Sequence, residues 1–277
     1  MMDNKRRKFL KMAGATVLAG MSAPAVIKIS STDAIAAGGG NEAPAAGHGG
    51  DGHGDAPSGV RLGMVIDLRT FYKDQTLLDT AVSACVDAHN IPQIPERKSE
   101  IKWIWKTGYE NAFPEHSQNH RSQTVKESQL PVLCNHCDNP SCVKACPTKA
   151  TFVVEKNGIV AMDFHRCIGC RFCMAACPYG ARSFNWQDPR PFIETYKPEF
   201  PTRMRGVVEK CNFCGERLAL GLEPACVEAC NKAGAQGAMV FGDLNDPDSE
   251  IRKVLDKEYT IQRKPSAGTR PSVFYIV

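Results

Sequence analysis

The stretch Cys167-Ile168-Gly169-Cys170-Arg171-Phe172-Cys173-Met174-Ala175-Ala176-Cys177-Pro178 spaces four cysteines as C-x2-C-x2-C-x3-C and closes on proline. Three thiolates on one tight loop can take three corners of an iron–sulfur cubane, whereas the fourth opens a helix directed away and reaches a different cluster. Backbone N–H groups around Gly169 are placed to hydrogen-bond cluster sulfur, and Pro178 fixes the turn after the remote ligand.

Upstream, Cys134-x2-Cys137-x4-Cys142-x3-Cys146-Pro147 repeats the pattern with one longer interval. Crossing over the fourth cysteine of each group gives two self-sufficient sets: Cys134, Cys137, Cys142 and Cys177, and Cys167, Cys170, Cys173 and Cys146. Zinc sites also use C-x2-C pairs, but zinc needs two well-separated pairs and has no use for a third closely spaced thiolate. Thioredoxin-like chemistry fails for the same reason, and no C-x-x-C-H is present to attach a c-type haem.

A third group, Cys211-x2-Cys214-x11-Cys226-x3-Cys230, has Asn231 where the others have proline, and its first three members need a remote fourth. One cysteine remains, Cys85. The segment Asp67 to Tyr72 stands where a complete fourth group would begin, yet it offers no thiolate. Cys85 therefore reads as the survivor of a decayed group that closes a third cluster with Cys211, Cys214 and Cys226. The rival assignment uses Cys230 locally and leaves Cys85 as a buried structural thiol. Both stay open on the sequence.

With thirteen cysteines in 277 residues, an odd count excludes complete pairing as intramolecular disulfides and makes metal ligation the leading explanation. The net charge of +4 matches the excess of basic over acidic residues in the first 36 positions, so the rest is near neutral and no basic face for nucleic acid is indicated. Residues 1–36 read as a twin-arginine signal, with Arg6-Arg7-Lys8-Phe9-Leu10-Lys11 ahead of an apolar stretch interrupted by Pro24. That stretch is short of the roughly 20 apolar residues of a spanning helix, and cleavage is expected after Ala36. An ordinary secretory signal and a retained anchor are the other readings. Residues 37–59 form a Gly/Ala/His linker whose His48 and His53 read as solvated rather than metal-bound.

Folded structure is expected from Val60 to Val277. Strand character marks Leu62 to Asp67, Thr151 to Val154, Ile159 to Met162, Met239 to Phe241 and Ser272 to Val277, with a hairpin turned at Asn157-Gly158. Helical spacing of Ile251, Val254 and Leu255 marks residues 249–257. The layout is α+β. Residues 93–130 form an insertion whose Ile101, Trp103, Ile104 and Trp105 read as core, with a partner surface as the alternative.

In combination, Cys-Asn-His-Cys-Asp-Asn-Pro-Ser-Cys at 134–142, the run around Cys167 to Arg182, Glu-Lys-Cys-Asn-Phe-Cys-Gly-Glu-Arg at 209–217 and Phe-Gly-Asp-Leu-Asn-Asp-Pro at 241–247 resemble a known family. It is that of the four-cluster ferredoxin-like subunits accompanying dimethyl sulfoxide, polysulfide and tetrathionate reductases and formate-dependent nitrite reduction. The resemblance implies two ferredoxin-like [4Fe-4S] modules, the one at 131–185 inserted in the other, with three clusters retained here. The degenerate first group, Glu-Phe-Pro-Thr-Arg-Met-Arg-Gly-Val-Val-Glu-Lys-Cys at 199–211 and Ile-Lys-Trp-Ile-Trp at 101–105 most resemble the members found in sulfite-reduction-associated complexes, which implies a periplasmic electron-transfer subunit of such a complex. Its partners would be an NrfD-type integral membrane quinone-interacting subunit, a multihaem cytochrome c and further subunits of a membrane redox complex. The alternative is the iron–sulfur subunit of a molybdopterin oxidoreductase.

A cubane fully ligated by cysteine has no open iron for substrate, so single-electron exchange is the expected chemistry. No Ser/His/Asp or paired-carboxylate constellation stands out, and no catalytic residue is assigned. Arg166 and Lys210 precede the first cysteines of two groups and read either as charges that raise cluster potentials or as solvated surface charges.

Overall fold

The structure, a computed structural model, describes residues 59–277. The signal, nearly all of the linker, and His48 and His53 lie outside the described residues. Strand β1 (Leu62–Asp67) alternates its side chains between two apolar layers, as the period of two of a strand requires. Met64 and Ile66 enter the main core with Phe71 and Leu78, while Val65 packs on the other face with Ile251 and Ile276.

Two helices follow β1 directly. Asp67 caps α1 (Leu68–Lys73) by accepting from the Arg69 amide at 2.9 Å, and Asp74 caps α2 (Gln75–Ala88) by accepting from the Thr76 amide at 2.9 Å. A side-chain acceptor at this position satisfies an N–H the helix leaves unpaired. Leu77, Leu78, Ala81 and Cys85 fall on one stripe of α2, the face that is buried. The cysteine is thus carried to the core by the same periodicity that carries the leucines.

β2 (Ile104–Gly108) pairs antiparallel with β3 (Gln129–Leu133), and the single turns α3 (Tyr109–Ala112) and α4 (Gln123–Glu127) lie between them. β3 delivers the chain into Cys134. Trp103 is fully buried beside this hairpin, which accounts for part of the 93–130 insertion as core. α5 (Ser141–Lys144) carries Cys142, the hairpin of β4 (Thr151–Val153) and β5 (Val160–Met162) follows, and α6 (Phe172–Ala175) carries Cys173. Ser141 Oγ donates to the Ala176 carbonyl at 2.7 Å and ties the two cysteine-bearing turns together.

β6 (Ser183–Phe184) pairs with β7 (Val208–Glu209), and β7 leads into the third group, which occupies α7 (Gly215–Leu218) and α8 (Ala225–Lys232) with the loops around them. β8 (Met239–Asp243), α9 (Glu250–Lys257), β9 (Thr260–Ile261) and β10 (Val273–Ile276) complete the chain. The four-stranded sheet runs β8-β1-β10-β9, with β1 parallel to β10 and antiparallel to β8. Both ends of the described chain therefore share one sheet, and the first two cysteine groups lie in the sequence between its strands. Among the described residues no helix is long and apolar enough to cross a membrane.

Candidate metal centres

The three loops share one backbone turn. His136, Gly169 and Phe213 each stand two residues after the first cysteine of their group, and all have positive φ, at 40°, 70° and 54°. Left-handed backbone in such a loop gathers successive N–H groups into a concavity that attracts negative charge. Amides do approach sulfur here: Val208 N to Cys167 Sγ and Phe213 N to Cys211 Sγ at 3.5 Å, and Ala225 N to Cys214 Sγ at 3.3 Å. A histidine and a phenylalanine accept strain at this position that glycine avoids. Their rings stack at 3.7 Å between centroids, which sets the turns of the first and third groups face to face.

Thiols meet across groups. Cys134, Cys137, Cys142 and Cys177 line one cavity, and burial together with Cys134 pushes the Cys137 thiol up to about 12. Cys173 lies in the electrostatic reach of Cys142, Cys167 and Cys146, with Cys170 on the loop between Cys167 and Cys173. Burial raises Cys85 well above a free thiol, and Cys211, Cys214 and Cys226 raise it further, so the isolated cysteine sits among the first three members of the last group. α2 packs along α8 to bring this about. Cys230, one turn after Cys226 on α8, is fully buried and pushed up to about 11 by burial. Cys226 feels both Cys211 and Cys230.

Burial and neighbouring thiols raise Cys85, Cys137, Cys173, Cys177, Cys211, Cys214 and Cys226, a state that favours neutral thiols unless a cation joins them. Cys146 moves the other way: burial raises its thiol, but the Thr151 amide and the Thr148 hydroxyl bring it below the usual value. Soft four-sulfur donor sets with amides aimed at sulfur fit [4Fe-4S] clusters, which would be held by the cysteines named above and would supply one-electron exchange.

Several contacts around the sulfurs carry no signal in the sequence. Arg182 is buried and donates from Nη2 to Cys142 Sγ at 3.0 Å and to Thr151 Oγ1 at 2.8 Å. His89 lies with Nδ1 2.9 Å from the Cys85 carbonyl oxygen and Nε2 2.8 Å from Glu216 Oε1, joining the end of α2 to α7. Arg203 and Glu209 form an ion pair at 2.7 Å with both side chains 0% exposed. Lys210 corrects one expectation: it is buried, and its amine donates to the carbonyls of Val160 and Cys211, so it is no solvated surface charge. Arg166 is a surface charge, paired with Asp163 at 3.1 Å.

Gly169 has no room for a side chain. With φ at +70°, a Cβ there would lie 2.4 Å from the Gly206 carbonyl oxygen and 3.1 Å from the Phe184 ring. Gly169→Ala is expected to cost about 1–3 kcal/mol in backbone strain, with the clash added, and to remove the iron bound by the second set. Gly180→Ala shares the positive φ but meets nothing within 4 Å, and it should keep its iron. Equal iron in the two variants, by metal analysis, would refute the packing argument.

Residues 125–190 match the family described as the 4Fe-4S dicluster domain. The chain is 43% identical over 208 residues to the Hdr-like menaquinol oxidoreductase iron-sulfur subunit 1 of Archaeoglobus fulgidus, covering 73% of this chain and 74% of that one. It is 36% identical over 239 residues to the menaquinone reductase iron-sulfur cluster-binding subunit of Nitratidesulfovibrio vulgaris, covering 78% of this chain and 89% of that one. An NrfC homolog of Haemophilus influenzae is 34% identical over 196 residues, 70% of this chain and 73% of that one. Fold and site together define a ferredoxin-like [4Fe-4S] protein of mixed α/β structure. The chain belongs to the family of ferredoxin-like iron–sulfur subunits of membrane-associated oxidoreductase complexes.

Proposed function

We propose that this chain is a periplasmic electron-transfer subunit similar to DsrO, the iron–sulfur subunit of the DsrMKJOP complex of dissimilatory sulfur metabolism. It carries three [4Fe-4S] clusters. Cys134, Cys137, Cys142 and Cys177 hold the first, Cys146, Cys167, Cys170 and Cys173 the second, and Cys85, Cys211, Cys214 and Cys226 the third. Electrons pass between an NrfD-type membrane subunit that meets quinone and a multihaem cytochrome c, and the chain reaches the periplasm folded by the twin-arginine route. What supports this reading is that Cys134, Cys137, Cys142 and Cys177 line one cavity and that Cys85 lies in the electrostatic reach of Cys211, Cys214 and Cys226. Each cubane is then saturated by sulfur, leaving electron exchange as its chemistry. Support for the quinone side comes from relatives named menaquinol oxidoreductase and menaquinone reductase subunits.

Isolation of the native complex under anaerobic conditions tests the reading. A brown preparation containing a multihaem cytochrome and an integral membrane subunit is expected. A molybdopterin subunit in place of the cytochrome would replace this function by that of a molybdopterin oxidoreductase subunit, and a colourless zinc-loaded protein would end both.

A further inference from the structure

Two cations are buried where the thiol sets abut. Arg182 is 5% exposed, touches Cys142 of the first set and lies in the electrostatic reach of Cys173 of the second. Lys210 is 1% exposed and bonds two carbonyls, that of Val160, which lines the cavity of the first set, and that of Cys211 in the third. Among the described residues no carboxylate pairs with either one, whereas the neighbouring buried Arg203 has Glu209. Holding an unpaired cation out of water is costly, and it persists only where other negative charge faces it. Clusters bearing four thiolates supply that charge.

We propose that Arg182 and Lys210 are counter-charges standing between successive clusters, Arg182 between the second and the first and Lys210 between the first and the third. The inference rests on the three-cluster assignment above. When one electron enters a cluster, no bond forms or breaks and the cluster with its thiolates becomes one charge more negative. A fixed cation beside it stabilises that reduced form and raises the potential. The row then reads second, first, third, and the first cluster feels both cations. The stacked rings of His136 and Phe213 hold the first and third loops together on the Lys210 side, and the Ser141 to Ala176 bond holds the first and second together on the Arg182 side.

The test is a potentiometric titration of the full chain, prepared anaerobically, with dithionite as the one-electron donor and the cluster signals followed by electron paramagnetic resonance. Arg182→Met is expected to lower the potentials of the first and second clusters, and Lys210→Met those of the first and third. Each shift should reach at least tenfold in the one-electron equilibrium, about 59 mV. Arg182→Lys and Lys210→Arg should keep the parent values. Fully loaded methionine variants with unmoved potentials, or with all three moved alike, would overturn the proposal. If a methionine variant loses iron, restored iron in the charge-conserving variant supports it, and iron loss in that variant too overturns it. A parent chain binding fewer than about twelve irons instead sinks the three-cluster reading beneath it.

Discussion

Cys85→Ser is expected to bind about eight irons in place of about twelve, or to turn one cubane into a three-iron form, while Cys230→Ser keeps the parent content. The expectation comes from two helices. α2 buries Cys85 on the stripe that also carries Leu77, Leu78 and Ala81, and α8 brings Cys226 against it. The thiol environment of Cys85 includes Cys211, Cys214 and Cys226. Cys230 is fully buried and, with Cys226, part of the main apolar core, where a serine hydroxyl would lose packing but take no ligand away. Metal analysis with magnetic resonance decides it. Iron lost from Cys230→Ser alone would make the last group self-contained and return Cys85 to the role of a core thiol.

Arg203→Met should destabilise the protein by about 3–5 kcal/mol, the usual cost of leaving one member of a buried ion pair without its partner. Glu209 is the hub of this network. It accepts from Arg203 Nε at 2.7 Å, from Trp103 Nε1 at 2.9 Å and from Asn185 Nδ2, while Arg203 also donates to the carbonyls of His89 and Asn90. One cation thus joins the chain just after α2 to the strand that enters the third cysteine group. The variant should lose the iron of the third cluster first, at a denaturant concentration well below the parent's midpoint. Arg203→Met combined with Glu209→Leu should recover part of the loss, because the stranded charge is gone, though Trp103 Nε1 then lacks an acceptor and Asn185 Nδ2 keeps only the Val207 carbonyl at 3.3 Å. A midpoint within experimental error of the parent in Arg203→Met would refute the hub.

Cysteine arithmetic makes much of this site legible in the chain. The first two groups offer their candidate ligands by spacing, because the geometry of a cubane corner is a local property of a loop a few residues long. Cys85 is reached by a different route, as the remainder once the rule has been applied to the other twelve. The helix that carries it is not legible, since nothing in Gln75 to Ala88 marks it apart from the stripe of Leu77, Leu78, Ala81 and Cys85. β2 and β3 are hidden too, because Ile104 to Gly108 and Gln129 to Leu133 owe their strand form to each other across a long excursion. The charges around the clusters are the least legible. Lys210 sits next to Cys211 in the sequence, yet its burial depends on Val160. Arg182 ends a recognisable run after Cys177, but its contact with Cys142 crosses between groups. Such pairings exist only once the fold has formed.

The order of the sheet also bears on how the protein is made. Met64 finds its place beside Val273, and β10 lies between β1 and β9. Met64 and Val273 lie far apart in the sequence, so this pairing cannot form until the chain has been made as far as β10, and contacts this distant along a chain form slowly. The first two thiol sets are drawn from residues 134 to 177, which precede β10 in the chain. The loop of the first set is nevertheless fastened to the segment that enters β10, the Asp138 amide donating to the Arg270 carbonyl at 2.8 Å and the Ser272 amide to the Asn135 carbonyl at 2.8 Å, so closing the sheet and fixing that loop are one event.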